Sequence, residues 1–175
     1  MTLQIPTLET ERMILRGPLE SDFDTVAAFM ASPRAEFIGG PQERFPAWRG
    51  FIGVLGHWAL RGYGFWTLVD KTTNRLLGRV GFINHDGWQE PELGWHLFEG
   101  VEGHGFAYEA ATAARRYGAL HFGLDGVISY IDPRNTRSAA LAHRLGASLE
   151  TETIFFDLPC HIYRHPKLAA LEETS

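Results

Sequence analysis

Residues 92–110 read Glu92-Leu-Gly-Trp-His-Leu-Phe-Glu-Gly-Val-Glu-Gly-His-Gly-Phe-Ala-Tyr-Glu-Ala110. The first seven residues alternate as a strand does, with Glu92, Gly94 and His96 on one face and Leu93, Trp95 and Leu97 on the other. Glycines at 100, 103 and 105 follow. From Gly105 to Phe122 the apolar set Phe106, Ala110, Ala113, Ala114, Tyr117 and Leu120 then keeps the 3.6-residue period of a helix, with alanines small enough to lie close against a sheet. A glycine-rich turn between a strand and a helix N-terminus offers unpaired backbone N–H groups and the positive end of the helix dipole, an arrangement that holds phosphate. Two familiar nucleotide loops fail here. The outer spacing Gly100 to Gly105 suits a P-loop, but Phe106-Ala107 stand where Lys-Ser/Thr is needed, and a dinucleotide fingerprint begun at Gly103 meets Tyr108 where Gly or Ala is required.

Downstream, Val127 to Ile131 reads as a short strand and Asn135 to Leu145 as a helix that ends at Gly146, with Asn135 as N-cap. A strand, a helix and a second strand in this order make the two strands parallel. Leu149 to Tyr163 gives one or two last strands, and a frayed tail is expected from His165 through residues 166–175. Upstream, Arg12 to Arg16 suits a strand, and Ser21 opens a helix with Asp24 in capping-box position and Phe23, Val26, Ala27 and Met30 on its apolar face. A second helix, Phe45 to Arg61, places Trp48, Ile52, Leu55 and Ala59 at helical spacing before Gly62 and Gly64. Phe65 to Asp70 and Leu76 to Ile83 form a hairpin around the turn 71–75. The sum is an α/β chain: a sheet covered on both faces by helices.

With 175 residues, 45% of them hydrophobic, the chain is expected to fold as a single domain over 1–175. Sixteen Lys plus Arg against 21 Asp plus Glu leave a formal charge of -5, which provides no basic field for nucleic acid. No apolar run reaches the ~20 residues of a membrane span, and the start lacks a secretory pattern, so a cytoplasmic location is expected. Cys160 is the sole cysteine, which excludes an internal disulfide and a multi-cysteine zinc site. The eight histidines show no metal-binding spacing, and no metal is expected. Trp48, Trp58, Trp66 and Trp88 are candidates either for core or for an acceptor pocket.

Taken together, these segments resemble the GCN5-related N-acetyltransferase (GNAT) superfamily, in the branch that contains ribosomal-protein N-terminal acetyltransferases. Leu8-Glu-Thr-Glu-Arg-Met-Ile-Leu-Arg16 is similar to the opening strand of that branch. Gly64 to Asp70 with Leu77-Gly-Arg-Val-Gly81 is similar to its central hairpin, and Gly103-His-Gly-Phe-Ala107 with Glu109-Ala110 to its acyl-CoA pyrophosphate loop. Asn135-x-x-Ser138 and Leu145-Gly146 match its next signature. One departure stands out: the family loop usually begins with Arg or Gln, and here that position is Gly100.

The resemblance implies a mixed, mostly antiparallel sheet of six to seven strands, with two central parallel strands splayed to admit acyl-CoA. It also implies acetyl transfer from acetyl-CoA to a primary amine by direct attack in a ternary complex, the amine belonging to a protein N-terminus or a small molecule. It places the coenzyme on Trp95, Leu97 and Phe98, on Gly103, His104, Gly105, Phe106 and Ala107, and on Asn135, Arg137 and Ser138. Such transfer needs a base for the amine and an acid for the thiolate, and no covalent nucleophile. Glu92 is the first candidate base, against a surface strand-end carboxylate; His96 is the second, against a hydrogen-bonded structural histidine. Ser138 is the candidate acid, with Tyr130 and Tyr163 in reserve. A non-catalytic acyl-CoA-binding sensor is the alternative function. The state is expected to be a monomer or homodimer.

Overall fold

The computed structural model describes residues 3–169. Its single sheet has eight strands: β1 (Leu8–Glu9), β2 (Met13–Arg16), β3 (Phe65–Asp70), β4 (Leu76–Ile83), β5 (Glu92–Leu97), β6 (Ile128–Ile131), β7 (Ser148–Phe155) and β8 (Leu158–Arg164). They lie in the order β1-β2-β3-β4-β5-β6-β8-β7, and only β5 and β6 run parallel. The count exceeds the six to seven expected for two reasons. Leu8 and Glu9 pair with Leu15 and Ile14 as a short added edge, and the last segment folds into a complete hairpin. Phe156 and Asp157 turn that hairpin with φ of 47° and 63°, the left-handed pair that a tight turn between twisted strands demands.

Among the described residues four α-helices cover the sheet: α1 (Phe23–Met30), α2 (Arg44–Arg61), α3 (Phe106–Tyr117) and α4 (Thr136–Arg144). Consecutive side chains of β5 point to opposite faces. His96 stacks on Phe29 of α1, whereas Trp95 reaches Ser138 of α4, so α1 and α4 lie on opposite sides. On the second face Ala110, Ala111 and Ala114 of α3 are wholly buried against Phe82, Leu93 and Val80, the close approach that alanines permit.

Two helix readings shift. The segment before α1 is capped by Asp22, whose carboxylate accepts the Leu19 N–H at 2.9 Å and pairs with both terminal nitrogens of Arg16 at 2.8 Å. Asp24, the expected capping residue, is exposed and pairs with Arg44. In α2 the buried positions are Ala47, Phe51, His57 and Trp58, while Ile52 and Ala59 face solvent. Phe51 packs on Phe23 and Trp58 on Trp66, and these two contacts set the rotation of the helix. Rather than fraying at His165, the chain is anchored as far as Leu168. His165 is 1% exposed, Arg115 donates to the Pro166 carbonyl, and the Leu168 N–H donates to Asp125. Residues 170–175 of that expectation lie outside the described residues.

Candidate active site

The parallel strands β5 and β6 share one register pair, Glu92 with Ile128, and then separate. Each leads through a loop to a helix N-terminus, β5 to the start of α3 and β6 to the start of α4. Glycines with positive φ at 100, 103 and 105 bring the chain from β5 into α3, and Gly105, at φ 79°, is its N-cap. The first amides of α3 have no partner within the helix and carry its positive dipole end. Arg12 holds this loop in place. Its Nε donates to Glu109 Oε2 at 2.7 Å, its backbone N–H to Oε1 at 2.9 Å, and its Nη1 to the His104 carbonyl at 2.8 Å. Burial alone would raise the Glu109 carboxyl, but the donors from Thr10 and Arg12 hold it below the usual range.

The side chain missing at Gly100 leaves its place beside Arg75, whose Nη2 lies 3.5 Å from where a Cβ would stand and also donates to the Glu99 carbonyl. Two further arginines converge on Glu102 in the loop: Arg137 from α4 at 3.6 Å, and Arg34 from the 3-10 segment Pro33–Ile38. Arg34 also reaches the Leu97 carbonyl at 3.3 Å, at the open end of β5.

Glu92 is no surface carboxylate. It is 8% exposed, accepting from Trp88 Nε1 at 3.0 Å and from the Tyr130 N–H at 3.0 Å. Burial outweighs these two donors and pushes its carboxyl up to about 7. Trp88 stands between this carboxylate and the rings of Phe155 and Phe156, at 5.0 and 5.5 Å.

His96 shares the face of Glu92, as alternation predicts, yet the two do not meet. Four residues at ~3.3 Å each put them roughly 13 Å apart along the strand, and Gly94 between them lies under the ring of Phe65. The strand registers align Arg16, Thr67, Arg79 and His96 in one row beneath α1. His96 is stacked 5.0 Å from Phe29, its Nε2 has no partner, and burial with the nearby Arg79 lowers it to about 3. It is a neutral packed imidazole.

On the opposite face Ser138 Oγ accepts from Trp95 Nε1 at 3.3 Å, a contact that spans the opening. Asn135 caps α4 by accepting the Ser138 N–H at 3.2 Å, which leaves its side-chain NH₂ and a second lone pair of its oxygen for a ligand. Trp95 and Leu97 are half-buried against the main core, with the Trp95 indole reaching Ser138, whereas Phe98 lies in the α1–α2 core, 5.4 Å from Phe29. Tyr130 is stacked on Phe155 at 4.2 Å with its hydroxyl accepting from the Gln89 N–H, and Tyr163 is buried against His143. Tyr163 belongs to a cluster against which Trp95 and Ala139, the neighbours of Ser138, also pack. Trp58 and Trp66 are core, Trp48 packs on Phe23, and Trp88 alone of the four reaches the site. The Cys160 thiol is buried and pushed up to about 11, far from a reactive thiolate. Among the described residues no three His, Cys, Asp or Glu side chains gather as metal ligands would, and no helix is long and apolar enough to cross a membrane.

An acetyltransferase from Agrobacterium tumefaciens str. C58 has a crystal structure that matches at TM-score 0.87 and 36% identity, over 95% of this chain and 98% of that one. The ribosomal protein uS5-alanine N-acetyltransferase of Escherichia coli is 26% identical over 152 residues, 82% of this chain and 78% of that protein. A ribosomal L7/L12 alpha-N-protein acetyltransferase, solved in complex with coenzyme A, shares the fold at TM-score 0.77 and 16% identity, over 93% of this chain and 98% of that one. Residues 12–148 match the family model of the acetyltransferase (GNAT) domain, and the chain belongs to that family of enzymes, which move an acetyl group from acetyl-CoA to an amine.

Proposed function

We propose that acetyl-CoA enters the opening between β5 and β6 and that Glu92 and Ser138 handle the two protons of transfer to a primary amine. The carrying observation is Glu92: a carboxylate at the closed end of the opening, buried and raised to about 7, suited to accept a proton near neutral pH. The pyrophosphate would rest on the amides of residues 103–107, beside Arg137, with the amide-bearing arm of the coenzyme along Trp95 and Leu97 and near Asn135. The acceptor ammonium gives a proton to Glu92, its nitrogen attacks the thioester carbon, and the carbon–sulfur bond breaks. The departing thiolate takes the proton of Ser138, whose oxygen is positioned by the indole of Trp95, and the nitrogen, losing its second proton as the amide forms, returns that proton through water to the serine oxygen.

The acceptor is an amine at a protein N-terminus or on a small molecule, and the uS5-alanine acetyltransferase among the relatives favours the first. A cytoplasmic monomer or homodimer belongs to the same reading. Nothing in the comparisons supports a non-catalytic sensor. Thiol release from acetyl-CoA across a panel of peptide N-termini and small amines, with mass spectrometry of the product, is the test. Wild type should turn over at least one class, and Glu92→Gln should lose about 10²–10⁴-fold in kcat while still binding CoA. Equal turnover by the variant removes Glu92 as the base.

A further inference from the structure

Val127 accepts the His165 N–H at 2.9 Å, so it turns its carbonyl to β8. By alternation Ile128 and Tyr130 turn their backbone groups to β5. Phe98 donates to Leu77, so the even-numbered residues of β5 face β4 and Leu93, Trp95 and Leu97 face β6. Beyond the single pair Glu92–Ile128, the next rung of the parallel ladder would therefore run from the Tyr130 N–H to the Leu93 C=O. It is not made. The Tyr130 N–H donates to Glu92 Oε2 at 3.0 Å, and the Leu93 C=O accepts from Ser129 Oγ at 2.6 Å. Two side chains from the two strands have taken over the two halves of one backbone hydrogen bond.

Ser129 is itself held. Its oxygen lies 2.9 Å from His165 Nε2, and both residues are buried, at 2% and 1% exposure. Since the single hydroxyl proton is given to Leu93, Nε2 must carry the proton of that bond, and the imidazole is the Nε2–H tautomer. Burial and the nearby Arg115 and Arg164 lower His165 to about 3, which keeps the ring neutral. Its Nδ1 has no partner. Neither Ser129 nor His165 lies on the glycine loop, on α4 or on the strand that carries Glu92.

We propose that Ser129, oriented by His165, acts with Glu92 as a wedge that replaces this rung and sets the point at which β5 and β6 part, and hence how deeply acetyl-CoA enters. Ser129 and His165 are positioning residues, and the proposal rests on the coenzyme entering between β5 and β6. Without the hydroxyl, the Leu93 carbonyl is a buried acceptor whose nearest backbone donor is the Tyr130 N–H, so the ladder closes by one rung. The opening then starts nearer Trp95, and the Glu92 carboxylate loses a donor.

The test joins binding to a direct view of the bond. Ser129→Ala should weaken acetyl-CoA binding by about tenfold or more in calorimetry, while melting cooperatively, and Ser129→Thr, which keeps the hydroxyl, should restore it. In labelled protein, scalar coupling across hydrogen bonds should link the Tyr130 amide nitrogen to the Glu92 carboxylate carbon in wild type, and to the Leu93 carbonyl carbon in Ser129→Ala. An acetyl-CoA affinity for Ser129→Ala within about twofold of wild type, or a Tyr130–Leu93 coupling in wild type, overturns the wedge. The wild-type coupling decides the matter even if the variant does not fold. It is read without coenzyme, so the wedge and the coenzyme assignment fail separately.

Discussion

Glu92 is a carboxylate taken out of water and given two donors that do not compensate for the loss. Its raised value governs two pH dependences. The rate of transfer should climb as pH rises through about 7, where the base ionises, and Glu92→Gln should remove that limb from a kcat/KM profile. Stability runs the other way. A carboxyl raised from 4.5 to about 7 by folding contributes stability below 4.5 that is lost as pH rises through 7. By linkage the loss approaches about 3 kcal/mol, so Glu92→Gln should melt higher than wild type at pH 8 and show little advantage at pH 4.5; an equal difference at both would place the carboxyl in contact with water. Gly105 is the other residue whose change reads cleanly. At φ 79° any Cβ is strained, so Gly105→Val should cost about 1–2 kcal/mol and weaken CoA binding together, whereas unchanged CoA affinity would move the phosphates off this loop. Alternation along residues 92–98 was enough to put Glu92 and His96 on one face. It did not separate a carboxylate at the fork from an imidazole sealed under Phe29, since that depends on a helix more than sixty residues earlier.

The glycine loop owes its position to an element far from it in the chain. Arg12, just before β2, meets the His104 carbonyl, the Glu109 carboxylate and the face of the Phe106 ring, 4.2 Å from its guanidinium carbon. Its side chain is 40% exposed, so these bonds are partly screened. Arg12→Ala should weaken CoA binding by about fivefold and stability by less than ~1 kcal/mol, with the affinity difference shrinking as salt is raised. A variant that binds CoA as wild type does would show that the loop supports itself. The glycines and the helix behind them were legible because turn chemistry and helical period are local. Arg12 read only as the start of a strand, and Arg34 carried no signal at all, because their partners lie on distant segments. The apolar face of α2 was displaced for a related reason: helical period names several overlapping stripes, and contact with Phe23 and Trp66 chooses among them.

At the scale of the molecule, the catalytic idea is direct transfer within a complex of enzyme, acetyl-CoA and amine. Cys160→Ala should keep most activity, and initial-rate kinetics should give intersecting lines; a trapped acetyl-cysteine or a ping-pong pattern would assign the thiol a role that its burial and raised value argue against. Residue order determined most of the architecture. The element sequence, the hairpin of β3 and β4 and the parallel relation of β5 and β6 follow from patterns local to a pleat, a turn or a helical turn, and the family resemblance rests on short motifs such as Gly103–Ala107 and Asn135–Ser138. Tertiary structure alone decided where those parallel strands part. That point depends on Glu92, Ser129, Tyr130 and His165 meeting across three strands, and on one backbone bond giving way to two side-chain bonds. No periodicity records such an exchange, because each residue is ordinary in its own segment and acquires its role only from partners that the chain brings back from dozens of residues away.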